Sequence, residues 1–459
     1  MGARERLVVV GGDAGGMSTA SQARRLRGPG DLEIIAVERG SYTSYSACGI
    51  PYLIAGDVSP VDALVARKPR EFREKQDIDV RIRHEATDID LDRREVVVRD
   101  LGDGSDRRLS FDQLVVATGA LPTRPDLPGI DLDGVYGVQT LDDGAAVLAA
   151  LESRPRRAVV VGAGYIGLEM AEALVRRGLE VTVVEAGPAP MATLDPDVGG
   201  LITDAMRGMG IEVRLEDPVR GIDGDSRVGA VVTEAATLPA DLVILGLGTR
   251  PNSELARAAG IACGPTGGIV TDTRMQSPAH QGVWAVGDCV ESRHLVSRRP
   301  VHVALGTHAN KQGRVAGINI GGGDATFPGV LGTAVTKVCD LEIARTGLSS
   351  READDAGFPA VSATIESTTR AGYFPGAEAI TTKVIAEPGS GRLLGAQIVG
   401  RDGAAKRIDV LAAALWNSMT VDQIIGMDLS YAPPFAPVWD PVLVAARKAA
   451  GVVADTARR

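Results

Sequence analysis

Two copies of one local pattern, about 150 residues apart, constrain this chain more than any other feature. The first begins with the apolar run Leu7-Val8-Val9-Val10, which stops at Gly11-Gly12-Asp13-Ala14-Gly15-Gly16. A helical stretch follows from about Met17 to Arg27, and then Leu32 to Glu38, a buried-strand pattern ending in an acid. The second copy runs from the strand Ala158 to Val161 through Gly162-Ala163-Gly164-Tyr165-Ile166-Gly167 into a helix that reaches about Arg177. Leu179 to Glu185 then closes it, again on an acid. Strand, glycine turn, helix, strand and acid in that order make a βαβ unit. One such unit is a weak signal. Two predict an α/β protein with two Rossmann-like dinucleotide-binding domains.

The glycines have a physical task. Without Cβ atoms, backbone N–H groups at a helix N-terminus can approach a pyrophosphate closely. Gly162, Gly164 and Gly167 have the spacing for this, and Glu185 lies 18 residues beyond Gly167. An acid there accepts hydrogen bonds from a ribose 2′-hydroxyl and repels a 2′-phosphate, so NADH is expected ahead of NADPH. Ala186 and Gly187 leave room for a neighbouring cation, which keeps NADPH open. The first turn has Asp13 at the middle glycine position, but Gly11, Gly12, Ala14, Gly15 and Gly16 still allow a tight turn. Glu38, 22 residues past Gly16, is again placed for a ribose.

The remaining chain narrows the class. With 49 Lys and Arg against 59 Asp and Glu in 459 residues, the net charge is −10, which argues against general nucleic-acid binding. No apolar run is long enough to span a bilayer, and Met1 to Arg6 carries no secretory pattern. Cys48, Cys263, Cys289 and Cys339 have no metal-ligand spacing, so no metal is expected and a reducing, cytoplasmic setting is. After about residue 325, Ala379 to Ala386 and Leu393 to Val399 alternate like half-buried antiparallel strands. Ala404 to Met419 then reads as a long helix, giving an α+β module suited to dimerisation.

Two further strands carry a resemblance. Phe111 to Ala120 ends in a small-residue turn at Thr118-Gly119, and Gly282 to Asp288 ends in Gly287-Asp288. With both glycine turns, the chain resembles the flavoprotein disulfide reductases that hold two dinucleotides. The resemblance implies FAD in the first domain, with Asp288 on the flavin ribityl chain and NADH in the second. It also implies that Tyr165 covers the flavin until nicotinamide arrives. The expected limits are residues 1–148 and 271–325 for FAD, 149–270 for NAD(P)H, and 326–459 for dimerisation.

Cys48 lies in Ser44-Tyr45-Ser46-Ala47-Cys48-Gly49-Ile50-Pro51-Tyr52. Two-cysteine reductases carry CxxxxC here, whereas this chain has Leu53 five residues on. A lone thiol cannot store two electrons as an internal disulfide; it needs a second sulfur from substrate or a sulfenic acid. The SxxxCGxPY pattern resembles the single-cysteine branch of coenzyme A disulfide reductases, NADH oxidases and NADH peroxidases. A following helix N-terminus and a nearby flavin are expected to favour the Cys48 thiolate. Cys263, Cys289 and Cys339 read as structural.

Ala14 occupies the position where oxidases and peroxidases often carry histidine, and no histidine follows His308. Asp428 to Phe435 is similar to the YAPPY segment of coenzyme A disulfide reductases, and Ala371 to Gly376 to their YYPG segment. The resemblance implies a homodimer in which Tyr373 and Tyr431 reach the partner subunit's Cys48 as hydrogen-bond donors. It further implies that Gln22, Arg25 and Ser44 contact coenzyme A. Ala47, Phe374 and Phe435 depart from the usual pattern. The expected activity is reduction of coenzyme A disulfide through a Cys48 mixed disulfide. The alternatives are an NAD(P)H oxidase or peroxidase, a persulfide or polysulfide reductase, and a redox-sensing flavoprotein with little turnover.

Overall fold

The computed structural model describes residues 4–458; residues 1–3, part of the segment read above for a secretory pattern, lie outside it. The first βαβ unit forms as Glu5–Val10, Ala14–Leu26 and Leu32–Glu38, with the two strands parallel and Leu7 opposite Ile34. The full sheet has five parallel strands, in the order Val283–Ala285, Gln113–Val116, Glu5–Val10, Leu32–Glu38, Ile78–Ile82. Leu7, Val8 and Val9 are completely buried, as a parallel strand covered on both faces must be. Each such side chain contributes about 1.5–3 kcal/mol.

The second unit builds an equivalent sheet: Glu212–Arg214, Glu180–Val184, Arg157–Val161, Leu242–Leu245, Val135–Gly137, all parallel. Its edge strand Val135–Gly137 precedes residue 149 in the chain. Small antiparallel sheets hang from each domain, one of them Val219–Gly224, Val228–Thr233 and Thr237–Pro239.

The third region is a five-stranded antiparallel sheet ordered Ala334–Val338, Leu341–Gly347, Leu393–Gly400, Ala379–Ala386, Val361–Thr368. The helix expected over Ala404 to Met419 is shorter and divided. A 3₁₀ turn at Ala405–Arg407 leads into a helix at Ile408–Trp416. Ser418 then adopts φ +53°, which a right-handed helix cannot contain.

This sheet locks onto the second domain. Arg345 Nη1 donates to Thr193 O at 2.6 Å, and Lys383 Nζ sits 2.8 Å from Asp195 and 2.7 Å from Asp197. Among the described residues, no helix is long and apolar enough to cross a membrane.

Candidate active site

In the first glycine turn, Gly11 has φ +109°, and a Cβ on Gly16 would overlap the Gly11 carbonyl. The turn and the following helix can therefore be this close only with glycine at both places. Glu38 ties the turn to its own strand: its carboxylate accepts from Gly12 N and from Gly40 N, both at 2.7 Å. The second turn repeats the device, with Gly162 at φ +96° and Gly164 capping the helix Tyr165–Arg176. Glu185 accepts from Ala163 N and Gly187 N, both at 2.8 Å. Gly167, like Gly16, faces the carbonyl of its turn's first glycine.

The first domain fits a flavin dinucleotide on its own evidence. The Asp288 carboxylate follows the strand Val283–Ala285, and burial pushes its carboxyl up to about 6. Its carboxylate accepts no hydrogen bond among the described residues, and a donor such as a ribityl hydroxyl would fit it. Gly287 N donates to buried Gln312 Oε1 at 2.8 Å, which fixes the turn carrying Asp288. Thr118 and Gly119 are held by Asn252, whose N donates to Gly119 O at 2.9 Å and Nδ2 to Thr118 O at 3.1 Å. Asp13 accepts from Tyr45 N at 3.1 Å, and burial, then Glu38, pushes its carboxyl up to about 7.

Cys48 sits in the 3₁₀ turn Ala47–Gly49, directly before the helix Ile50–Ala55. Its surface is exposed, yet partial burial of the thiol, then the charges of Glu169 and Asp288, push it above the ordinary thiol value. The chain's own groups thus act against the thiolate that a helix N-terminus and a flavin are expected to favour. The helix that follows has only 6 residues, and Asp13 is a third carboxylate that raises the thiol. Glu169 is anchored by the Thr336 hydroxyl of the third domain.

One cavity of about 350 Å³ brings together Gln22, Arg25 and Ser44, with Ala14 also on its wall. Arg25 Nη1 donates to Gln22 Oε1 at 3.3 Å, whereas Arg24 is buried and spent on backbone carbonyls of Leu32, Gln76 and Asp77. The cavity also contains Arg67, Asn310 and Arg314, which sequence reasoning missed. Ala66 N donates to Ser44 O at 2.8 Å, so the pinned backbone carries Arg67 to the cavity. Asn310 and Arg314 come from the helix Gly306–Ile320, which packs closely on Ala14–Leu26. A Cβ on Gly317 would lie 2.6 Å from Thr19 O, and one on Gly321 would lie 2.7 Å from Leu26 Cβ. Gly313, Gly317 and Gly321, four residues apart, were the available signal.

Tyr165 opens its helix beside Thr193 and Arg345, and burial pushes its phenol up. Tyr373 and Tyr431 are neighbours, and the Tyr373 phenol raises that of Tyr431. They lie 78% and 47% exposed, on a face that also shows Phe435 and Val438. Cys289 is buried, donating to Val286 O at 3.3 Å, and Cys339 is partly buried beside Met209.

Paired glycine turns on two parallel sheets, a buried carboxylate at the end of a strand and an exposed cysteine make the arrangement of a pyridine-nucleotide flavoprotein. Comparison with known proteins agrees. The profile of the pyridine nucleotide-disulphide oxidoreductases matches residues 5–313, and that of their dimerisation domain matches residues 333–441. The chain belongs to this family and is an FAD-dependent NAD(P)H oxidoreductase. It is 40% identical over 446 residues to an NAD(P)H coenzyme A polysulfide/persulfide reductase of Pyrococcus horikoshii, covering 97% of this chain and 98% of that protein. A coenzyme A disulfide reductase of Staphylococcus epidermidis is 30% identical over 94% of this chain and 96% of its own. The solved NAD-dependent persulfide reductase from A. fulgidus superimposes with a TM-score of 0.94 at 40% identity, over 99% of this chain and 83% of that one.

Proposed function

We propose that this enzyme reduces a sulfur–sulfur bond carried on coenzyme A, with coenzyme A disulfide as the first substrate and Cys48 as the reacting thiol. The observation that carries the reading is the cavity at Gln22, Arg25 and Ser44, completed by Arg67 and Arg314. Three guanidinium groups at one cavity give a chain of net charge −10 a local site for a multiply phosphorylated ligand.

The Cys48 sulfur, as thiolate, attacks one sulfur of the substrate. The substrate S–S bond breaks, one coenzyme A leaves as thiolate, and a mixed disulfide forms on Cys48. Tyr373 or Tyr431 of the partner subunit donates the proton that the leaving sulfur takes. FAD, held at the first glycine turn with Asp288 toward its ribityl chain, would supply a two-electron relay between NADH and that mixed disulfide. The sum is NADH, a proton and coenzyme A disulfide giving NAD⁺ and two coenzyme A thiols.

The names of the 40%-identical relatives favour a second reading in which the substrate is coenzyme A persulfide. Reduction then gives one coenzyme A thiol and one hydrogen sulfide per NADH.

The test is anaerobic NADH oxidation with each substrate, counting thiol and sulfide released. Two thiols per NADH support the first reading, and one thiol with one sulfide selects the second. Turnover only when oxygen is admitted would overturn both. Cys48→Ser should lower disulfide reduction by about a thousandfold or more while FAD stays bound. Retained turnover would remove Cys48 from the reaction.

A further inference from the structure

The edge of the second domain beside Glu185 holds a cation that is already paired with acids. In the parallel ladder between Glu180–Val184 and Glu212–Arg214, Val184 stands opposite Arg214. Beyond the strand ends the two outlets are laced together. Glu185 N donates to Arg214 O at 2.8 Å, Asp217 N to Glu185 O at 3.1 Å, and Glu216 N to Gly187 O at 3.0 Å. Arg214 is therefore carried on the segment that borders the Glu185 loop.

Its guanidinium is bound by two acids: Nε to Asp217 Oδ2 at 2.9 Å and Nη1 to Glu212 Oε1 at 3.2 Å. Asp217 is itself held in place. It is only 5% exposed and accepts from Thr233 Oγ1 and Ala235 N, both at 3.0 Å. Thr233 ends a strand of the separate antiparallel sheet, so Asp217 cannot follow Arg214 if the arginine turns toward a ligand. Glu185, Glu212, Glu216 and Asp217 leave this edge with excess negative charge around one cation. A ribose 2′-hydroxyl can donate to Glu185; a 2′-phosphate meets that carboxylate and finds the arginine taken.

We propose that Asp217 withholds Arg214 from the ligand and so, together with Glu185, sets the enzyme for NADH against NADPH. Asp217 is a positioning residue in this device: it acts through Arg214. The inference rests on the reading of Gly162 to Gly167 as the nicotinamide dinucleotide turn.

The experiment uses the FAD-loaded enzyme. It measures kcat/KM for NADH and NADPH, and calorimetric binding of 5′-ADP and 2′,5′-ADP. The wild type should favour NADH by about tenfold or more and bind 5′-ADP over 2′,5′-ADP. Asp217→Asn should raise the NADPH to NADH ratio about tenfold and strengthen 2′,5′-ADP binding, and adding Arg214→Met should erase both gains. An unchanged ratio in an Asp217→Asn protein that melts and holds flavin like the wild type would overturn the proposal. So would a wild type that uses both nucleotides equally. Should Asp217→Asn not fold, Arg214→Met alone decides. The proposal expects its nucleotide ratio to match the wild type, and a fall in NADPH use would show that Arg214 already serves the phosphate. Failure of both nucleotides to bind or to reduce the flavin would instead refute the dinucleotide reading beneath it.

Discussion

At Cys48 the chain's own groups oppose the reactive form. Burial, Glu169 and Asp288 all raise the thiol, so its alkylation by iodoacetamide should show a pH inflection above the ordinary thiol range. Glu169→Gln removes one of the three carboxylates that raise it, Asp13 being the third, and should move that inflection down. An inflection already below the ordinary value in the wild type would mean that bound flavin outweighs these carboxylates. The sequence around Cys48 shows the thiol and the short helix after it, but Glu169 and Asp288 arrive from remote strands and helices, so the direction of the shift could not be read locally. Asp13 and Asp288 give a second pH test. Burial raises them to about 7 and about 6, above the ordinary 3.8 expected when unfolded. A raised carboxyl contributes stability that is complete below its unfolded value and is lost as pH rises through its folded value. In flavin-free protein, the melting-temperature gain from Asp288→Asn should therefore grow between pH 4 and about 6. A gain that stays flat across that window would show that the carboxyl is not raised.

The two glycine turns look alike but should fail separately. Alanine at Gly16 drives a Cβ into the Gly11 carbonyl, and alanine at Gly167 drives one into the Gly162 carbonyl. Each clash forces backbone to move, at a cost of about 1–3 kcal/mol. Gly16→Ala should purify with little FAD, read from its visible absorbance. Gly167→Ala should stay yellow but bind NADH weakly, read by calorimetry. Loss of flavin in Gly167→Ala would contradict the division of labour between the turns. These turns were legible because their constraint is local: a glycine, its helix and its strand are consecutive in the chain. The cavity was only half legible. Gln22, Arg25 and Ser44 sit in or near the first unit, whereas Arg67, Asn310 and Arg314 reach it through packing. The contact of helix Gly306–Ile320 with Ala14–Leu26 is written in three glycines that fit a partner, and the partner cannot be identified from the glycines alone. The divided helix after Ala404 was hidden for a similar reason: its apolar residues continue the helical pattern past Trp416, but the backbone at Ser418 does not.

The third domain matches the family's dimerisation profile, and it shows solvent Phe435, Val438 and the neighbouring Tyr373 and Tyr431. Exposed apolar side chains beside two phenols are costly to leave in water and suited to a second copy of the chain. If the tyrosines serve the partner's Cys48, neither single defect is private to one subunit. A Cys48→Ser chain keeps its tyrosines, and a Tyr373→Phe/Tyr431→Phe chain keeps its thiol. Each homodimer should reduce coenzyme A disulfide poorly. In a mixed dimer one site combines both defects, lacking the thiol and both phenols, and is dead, while the other joins an intact Cys48 with intact tyrosines. Random reassociation makes about half the dimers mixed, so about a quarter of all sites should work. Thiol release measured before and after mixing the two variants, with subunit exchange followed by differently tagged chains, would show that recovery. Exchange without recovery would place the tyrosines' action within their own subunit, and the exposed apolar face would then be an interface with no part in the chemistry.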